Sequence, residues 1–228
     1  MVKLVIFDCD GVLVDSEYIS IPLLAEDITA AGYPMDTEEA LRRYKGGKFS
    51  HLQPQIEAEF GVSLGNDWIK QYYRRQFSAL EKDVTPVPGI ASVLDFVDSS
   101  KLEKAVASQG PIEKMDITLS ATGLLNRFNG RIFSANMVKR PKPAPDLFLH
   151  VAETCGHHAR DCLVIENSPT GVRGARAAGM AVMGFAAGGD GKELSAAGAN
   201  VIFQSMSEFA EIFETWAAIN VNSDHHDA

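Results

Sequence analysis

The sequence is short of cysteine, of basic residues and of long apolar runs, and each shortage removes a class of function. Its three cysteines, Cys9, Cys155 and Cys162, form no spaced framework, so a reducing compartment suits the chain better than a disulfide scaffold. Lysine and arginine number 21 against 30 aspartates and glutamates, a formal net charge of -9. Nucleic-acid binding draws on clustered Lys and Arg, so no such partner is expected, and the charge reads as solubility. No apolar stretch approaches the roughly 20 residues of a membrane helix. Met1-Val2-Lys3 opens directly into a strand-like run with nothing resembling a signal peptide. The expectation is a cytoplasmic protein that meets neither membrane nor nucleic acid. Repeats and low-complexity tracts are also lacking.

What remains is an ordinary globular composition, 46% hydrophobic and 22% charged over 228 residues, with ample length for a sizeable core. Short apolar runs at 4–7, 105–107, 131–133, 162–165, 181–185 and 201–203 read as buried strands, and continuous runs of this kind suit a parallel sheet covered on both faces. Helical patterns fall between them at 90–97, 112–121, 144–154 and 169–178, the last opening on Pro169 and stopping at Gly179. The alternation predicts an α/β fold with a doubly wound, mainly parallel, Rossmann-like sheet.

Residues 16–85 interrupt that rhythm. Leu24, Ile28 and Ala31 recur at helical spacing before Gly32, and Asp36 with Glu39 reads as a capping box ahead of the next helix. Two further helical stretches follow, and "VTPVPG" at 84–89 reads as a hinge. The chain is therefore expected to divide into an α/β core of 1–15 and 86–219, an inserted all-helical cap of 16–85, and a polar tail of 220–228 that lacks order. His225 and His226 in that tail read as solvated rather than as metal ligands.

The chemistry gathers at predicted strand ends. "VIFDCDGVLVDSE" brings Asp8 and Asp10 out of the first strand two residues apart, on the same side. Adjacent carboxylates destabilise each other unless a cation neutralises them or one holds a proton, and a hard divalent ion takes oxygen ligands of this kind. "AVASQG" places Ser108 after another strand, with Gln109 and Gly110 available to offer backbone N–H groups to a phosphate. "KRPKPAPDLF" holds Lys142 in a proline-stiffened loop, and "CLVIENSPTG" ends a strand on Glu166 and Asn167. Open α/β sheets bind ligands just beyond the carboxyl ends of their strands. Any one station is also consistent with a plain turn; their conjunction in this order is far more specific.

The four stations resemble the motifs of the haloacid dehalogenase-like hydrolase superfamily, in its branch of β-phosphoglucomutase-like and sugar-phosphate phosphatases with a helical cap. The resemblance covers the chain up to the polar tail. It implies that Asp8 is the nucleophile, accepting the phosphoryl group as an aspartyl-phosphate. Asp10 would protonate the leaving oxygen, and so starts protonated, then deprotonate the attacking water. It implies Mg²⁺ held by Asp8, the carbonyl of Asp10, Glu166 and Asn167, with Lys142 offsetting charge repulsion and Ser108 holding phosphate oxygens. Lys45 in "RRYKGGKFS" would meet the substrate, and either this role or a solvated loop fits it. The implied partner is a small phosphorylated metabolite, a sugar phosphate or sugar-acid phosphate; the expected state is a monomer, with a dimer left open.

Departures from the family pattern matter. Many relatives carry a second acid where this chain has Asn167, which predicts weaker Mg²⁺ binding because ligand charge tunes affinity at hard-cation sites. The mutases carry His where this chain has Ser20, and Arg where it has Phe49, with Lys48 alongside. Hydrolysis is therefore expected ahead of a β-phosphoglucomutase-like phosphomutase or a non-catalytic phosphate- and metal-binding relative. Cys9 points away from its aspartate neighbours and is expected to be inert. The small residues of "GVRGARAAG" are expected to let a helix sit close on the sheet.

Overall fold

Four apolar residues, Leu4–Phe7, form the central strand β1, and their alternation divides the core. The side chains of Leu4 and Ile6 enter one hydrophobic cluster while Val5 and Phe7 enter another on the opposite face. The computed structural model describes residues 1–44 and 51–223. After β1 come β2 (Val14–Asp15), the helices α1 (Glu17–Ala30), α2 (Thr37–Tyr44), α3 (Leu52–Phe60) and α4 (Trp68–Asp83), and β3 (Thr85–Pro86). Helix α5 (Ile90–Ser99), β4 (Glu103–Ser108), α6 (Ile112–Ala121), β5 (Ile132–Ser134), α7 (Asp146–Thr154), β6 (Cys162–Glu166) and α8 (Pro169–Ala177) follow. The described chain ends with β7 (Ala181–Phe185), α9 (Lys192–Ala196), β8 (Val201–Phe203) and α10 (Phe209–Ser223).

Six strands form one parallel sheet in the order β5-β4-β1-β6-β7-β8. Because strands adjacent in space connect through helices, both faces are covered, which is why the strands read as unbroken apolar runs. Each large side chain fully buried in this way contributes about 1.5–3 kcal/mol. Strand β4 starts earlier than its apolar run, at Glu103 and Lys104; the mostly buried Lys104 stem carries its ammonium out to Asp98.

Helices α1–α4 enclose a third cluster built on Ile21, Leu24, Ile28, Ile56, Trp68 and Tyr72. Asp36 caps α2, accepting the Glu39 N–H at 2.7 Å, while Glu39 pairs with Arg43 rather than closing the box. Two short strands tie this helical layer to the sheet: β2 and β3 pair antiparallel, too briefly to leave a pattern in sequence. Helix α10 was not anticipated. Phe209 and Phe213 lie one turn apart on the face that joins the core, and the helix carries residues 220–223 of the stretch expected to lack order. Residues 224–228, with His225 and His226, lie outside the described residues. Among the described residues no helix is long and apolar enough to cross a membrane.

Candidate active site

Strand β1 delivers Asp8, β4 ends on Ser108 and β6 ends on Glu166, so three neighbouring strands bring polar side chains to one edge of the sheet. All three line a single cavity, together with Asp10, Gln109, Gly110 and Lys142. The backbone after β1 folds back at once. The N–H groups of Val12, Leu13 and Val14 converge on the Cys9 carbonyl, and Gly11 takes a φ of 81°. A side chain at Gly11 would be strained by that φ and would also strike the Asn167 amide, 2.0 Å from where its Cβ would lie.

Lys142 is the hub. Its Nζ donates to Asp8 Oδ1 at 2.7 Å, to Glu166 Oε1 at 2.6 Å and to the Ala107 carbonyl at 2.9 Å, so each proton has an acceptor. The ring of Phe148 lies beneath the ammonium at 5.0 Å. Burial works against that charge, but Asp8 and Glu166 outweigh it and hold the ammonium above the usual lysine range. Burial pushes the Asp8 carboxyl up to about 8, with Glu166 and Asp10 adding to the push and Lys142 opposing it.

Both oxygens of Glu166 have partners in the protein. Oε1 takes Lys142, and Oε2 accepts from both the N–H and the hydroxyl of Ser168 at 3.0 and 2.9 Å. It sits against Gly171 in α8, where an added Cβ would lie 1.7 Å from Oε1. Both oxygens thus help to position Lys142 and the start of α8. Gly174, one turn on, would strike the Ala144 carbonyl and Phe148 at 3.2 Å. The small residues of α8 serve close approach as expected, but at these two positions to the Glu166 carboxylate and the lysine loop rather than to the sheet.

Asp10 differs from expectation. Lys114, in the first turn of α6, donates to Asp10 Oδ1 at 2.6 Å, and the Ser16 hydroxyl reaches the same oxygen. Burial raises its pKa, but Lys114 and Ser16 prevail and hold the carboxyl below the usual aspartate range. In this arrangement the Asp10 carboxyl is ionised rather than protonated. Reading the sequence missed Lys114. Its signal is position: three residues after Pro111, a helix residue points back toward the N-terminus and the strand ends.

The other expected residues divide. Ser108 is buried and accepts the Gly110 N–H at 3.0 Å, so that donor, expected to face phosphate, is occupied locally. Gln109 donates its side-chain NH₂ to the Lys142 carbonyl at 3.1 Å and steadies the lysine loop. Asn167 lies over Gly11 and lines the adjoining groove instead of the cavity. Lys45, Lys48 and Phe49 lie outside the described residues. Cys9 is buried in the core cluster, its thiol pushed up by burial and by Asp10 and Asp8, consistent with inertness.

A hard divalent cation fits this donor set. Among the described residues no three His, Cys, Asp or Glu side chains are grouped for a metal, so the set is mixed. Asp8 Oδ2 and the Asp10 carbonyl accept no hydrogen bond among the described residues, and the Asn167 amide, from the loop after β6, lies against Gly11 beside them. A carboxyl with its pKa pushed up to about 8 while already touching one ammonium has room for a second positive charge.

Comparison with known proteins places this geometry among relatives. The family model described as "Haloacid dehalogenase-like hydrolase" matches residues 5–185. The 6-phosphogluconate phosphatase of Escherichia coli is 29% identical over 187 residues, 82% of this chain and 83% of its own. The phosphorylated carbohydrates phosphatase of Thermotoga maritima is 30% identical over 201 residues, 86% of this chain and 91% of its own. A haloacid dehalogenase-like protein of unknown function from Agrobacterium tumefaciens superposes with a TM-score of 0.82 at 32% identity. The superposition covers 95% of this chain and all of that one.

Proposed function

This chain belongs to the haloacid dehalogenase-like hydrolase family, and we propose that it is a Mg²⁺-dependent phosphatase of small phosphomonoesters, sugar phosphates or sugar-acid phosphates. The observation that carries the reading is the Lys142 ammonium clamped between Asp8 and Glu166, with Asp10 and Ser108 in the same cavity. The names of the E. coli and T. maritima relatives support the substrate class.

Asp8 is the nucleophile. Lys142 occupies Oδ1, which leaves Oδ2 to attack phosphorus as the bond to the leaving oxygen breaks. The products are an aspartyl-phosphate and the leaving alcohol, whose oxygen takes its proton from Asp10 as it departs. Water then attacks the same phosphorus, Asp10 accepts its proton, and the Asp8–phosphorus bond breaks to return the carboxylate and inorganic phosphate. In the arrangement described, Asp10 is poised for this second half; its service as acid in the first half requires it to exchange Lys114 for a proton. Glu166 acts through Lys142, as a positioning residue. Ser108 gives its hydroxyl proton to a phosphate oxygen while its Oγ accepts the Gly110 N–H. Mg²⁺ would be held by Asp8, the Asp10 carbonyl, Asn167 and, with the bonding capacity that Lys142 and Ser168 leave it, Glu166, and would supply charge neutralisation for the incoming phosphate. Helices α1–α4, proposed as the cap, cover the cavity through Ser20, Tyr44 and Gln76.

Phosphate release from p-nitrophenyl phosphate tests the proposal. Release with Mg²⁺, its loss on chelation, and a fall of about 10³-fold or more in Asp8→Asn are expected. Metal-independent release, or full activity in Asp8→Asn, overturns it.

A further inference from the structure

Among the described residues, Tyr44 Oη, Gln76 Oε1 and Gln109 Oε1 are buried without a hydrogen-bond partner, and all three side chains line the cavity that holds Asp8. The amide orientations follow from the network. Tyr72 gives its hydroxyl proton to the Ser20 carbonyl at 2.8 Å, so at Gln76 it can only accept, and the group reaching it at 3.2 Å is the Gln76 NH₂. That NH₂ also meets Ser20 Oγ at 2.8 Å. Gln109 faces the Lys142 carbonyl, which only an NH₂ can satisfy. Both amide oxygens are therefore left as acceptors. Gln76 is fully buried, and a buried acceptor without a donor is a cost that folded proteins seldom carry unless something else pairs with it. The cavity's ammonium groups do not fill the need, because Lys142 and Lys114 are engaged by Asp8, Glu166 and Asp10.

We infer that this cavity reads the hydroxyl groups of a polyol carried on the phosphate, with Gln76 and Gln109 accepting from two substrate hydroxyls and Tyr44 pairing with a third. The inference rests on the phosphatase reading and narrows its substrate. Two acceptors and a phenol match a chain of hydroxyls; an alkyl group offers them nothing and leaves them buried and unpaired. A carboxylate has no proton for either amide oxygen, so a sugar acid would be held through its chain hydroxyls. Ordered water in the same places would instead make the cavity indifferent to hydroxyls.

The experiment compares sorbitol 6-phosphate and glucose 6-phosphate with n-hexyl phosphate, using p-nitrophenyl phosphate as a hydroxyl-free reference for turnover. A site built to hydrogen-bond hydroxyls rejects the analogue lacking them, so kcat/KM for a polyol phosphate should exceed that for hexyl phosphate by about 100-fold or more. In Gln76→Leu that advantage over hexyl phosphate should fall by about tenfold or more, each rate being taken relative to p-nitrophenyl phosphate. Tyr44→Phe, which keeps the ring, should reduce it in the same direction and serves if Gln76→Leu does not fold. Equal kcat/KM for polyol and hexyl phosphates, with p-nitrophenyl phosphate hydrolysed, overturns the inference and leaves the phosphatase standing. If folded wild-type protein hydrolyses none of them, the phosphatase reading fails instead. Calorimetric binding of sorbitol 6-phosphate against hexyl phosphate then decides the inference: equal affinities overturn it, and tighter polyol binding supports it.

Discussion

On the sheet side of the cavity each proton of Lys142 has an acceptor and both oxygens of Glu166 have donors. Among the described residues Tyr44 Oη and Gln76 Oε1 on the helical side have no partner, a state that Gln109 Oε1 shares at the rim of the sheet side. The difference separates two tasks. Groups that stabilise developing charge work best when fixed in advance, since reorganising them during reaction costs rate. Groups that recognise a substrate must keep bonding capacity in reserve, at some cost to the stability of the free protein.

Removing the hub should break the sheet side most severely. Lys142→Met leaves Asp8 and Glu166 buried and facing each other, and loss of one partner from a buried ionic cluster costs about 3–5 kcal/mol. Urea denaturation should show a loss of that size; a loss under about 1 kcal/mol would mean that the cluster is not the fixed half of the site. A subtler change is Gly171→Ala, which is favourable for an exposed helix but here sets a methyl where Glu166 lies. It should cost about 1–3 kcal/mol and lower kcat more than it raises KM, because the carboxylate acts through Lys142. Unchanged kcat would detach Glu166 from the reaction.

An ion pair outside both walls sets the scale for ordinary electrostatics. Asp98 meets Lys104 and Arg127, which prevail over burial and hold its carboxyl below the usual range. A depressed carboxyl stabilises the fold above its unfolded pKa, near 3.9, and that stability is lost as pH falls through the folded value. The Tm gap between wild type and Asp98→Asn should therefore be small at pH 7 and shrink further toward pH 3. A gap that widened in acid would reverse the sign.

Much of this molecule was legible locally. Unbroken apolar runs marked all six sheet strands, and polar residues placed just beyond Phe7, Ala107 and Ile165 marked the cavity edge, because strand ends are where a parallel sheet leaves backbone and side chains exposed to a ligand. Lys142 was legible for the same reason, in a loop stiffened by three prolines. Lys114, Ser16, Gln76 and Tyr44 were not. Lys114, Gln76 and Tyr44 lie on helices and Ser16 just ahead of one, where a polar residue facing the cavity has the same spacing as one facing water, and only the packing of α1, α2, α4 and α6 against the strand ends separates the two. The charge state of Asp10 was hidden as well. The order of residues requires that Asp8 and Asp10 emerge together; which of them meets Lys142 and which meets Lys114 depends on groups 134 and 104 residues away. Periodicity and strand-end chemistry belong to the chain locally, whereas pairing, and the protonation that follows from it, exist only once distant segments are packed together.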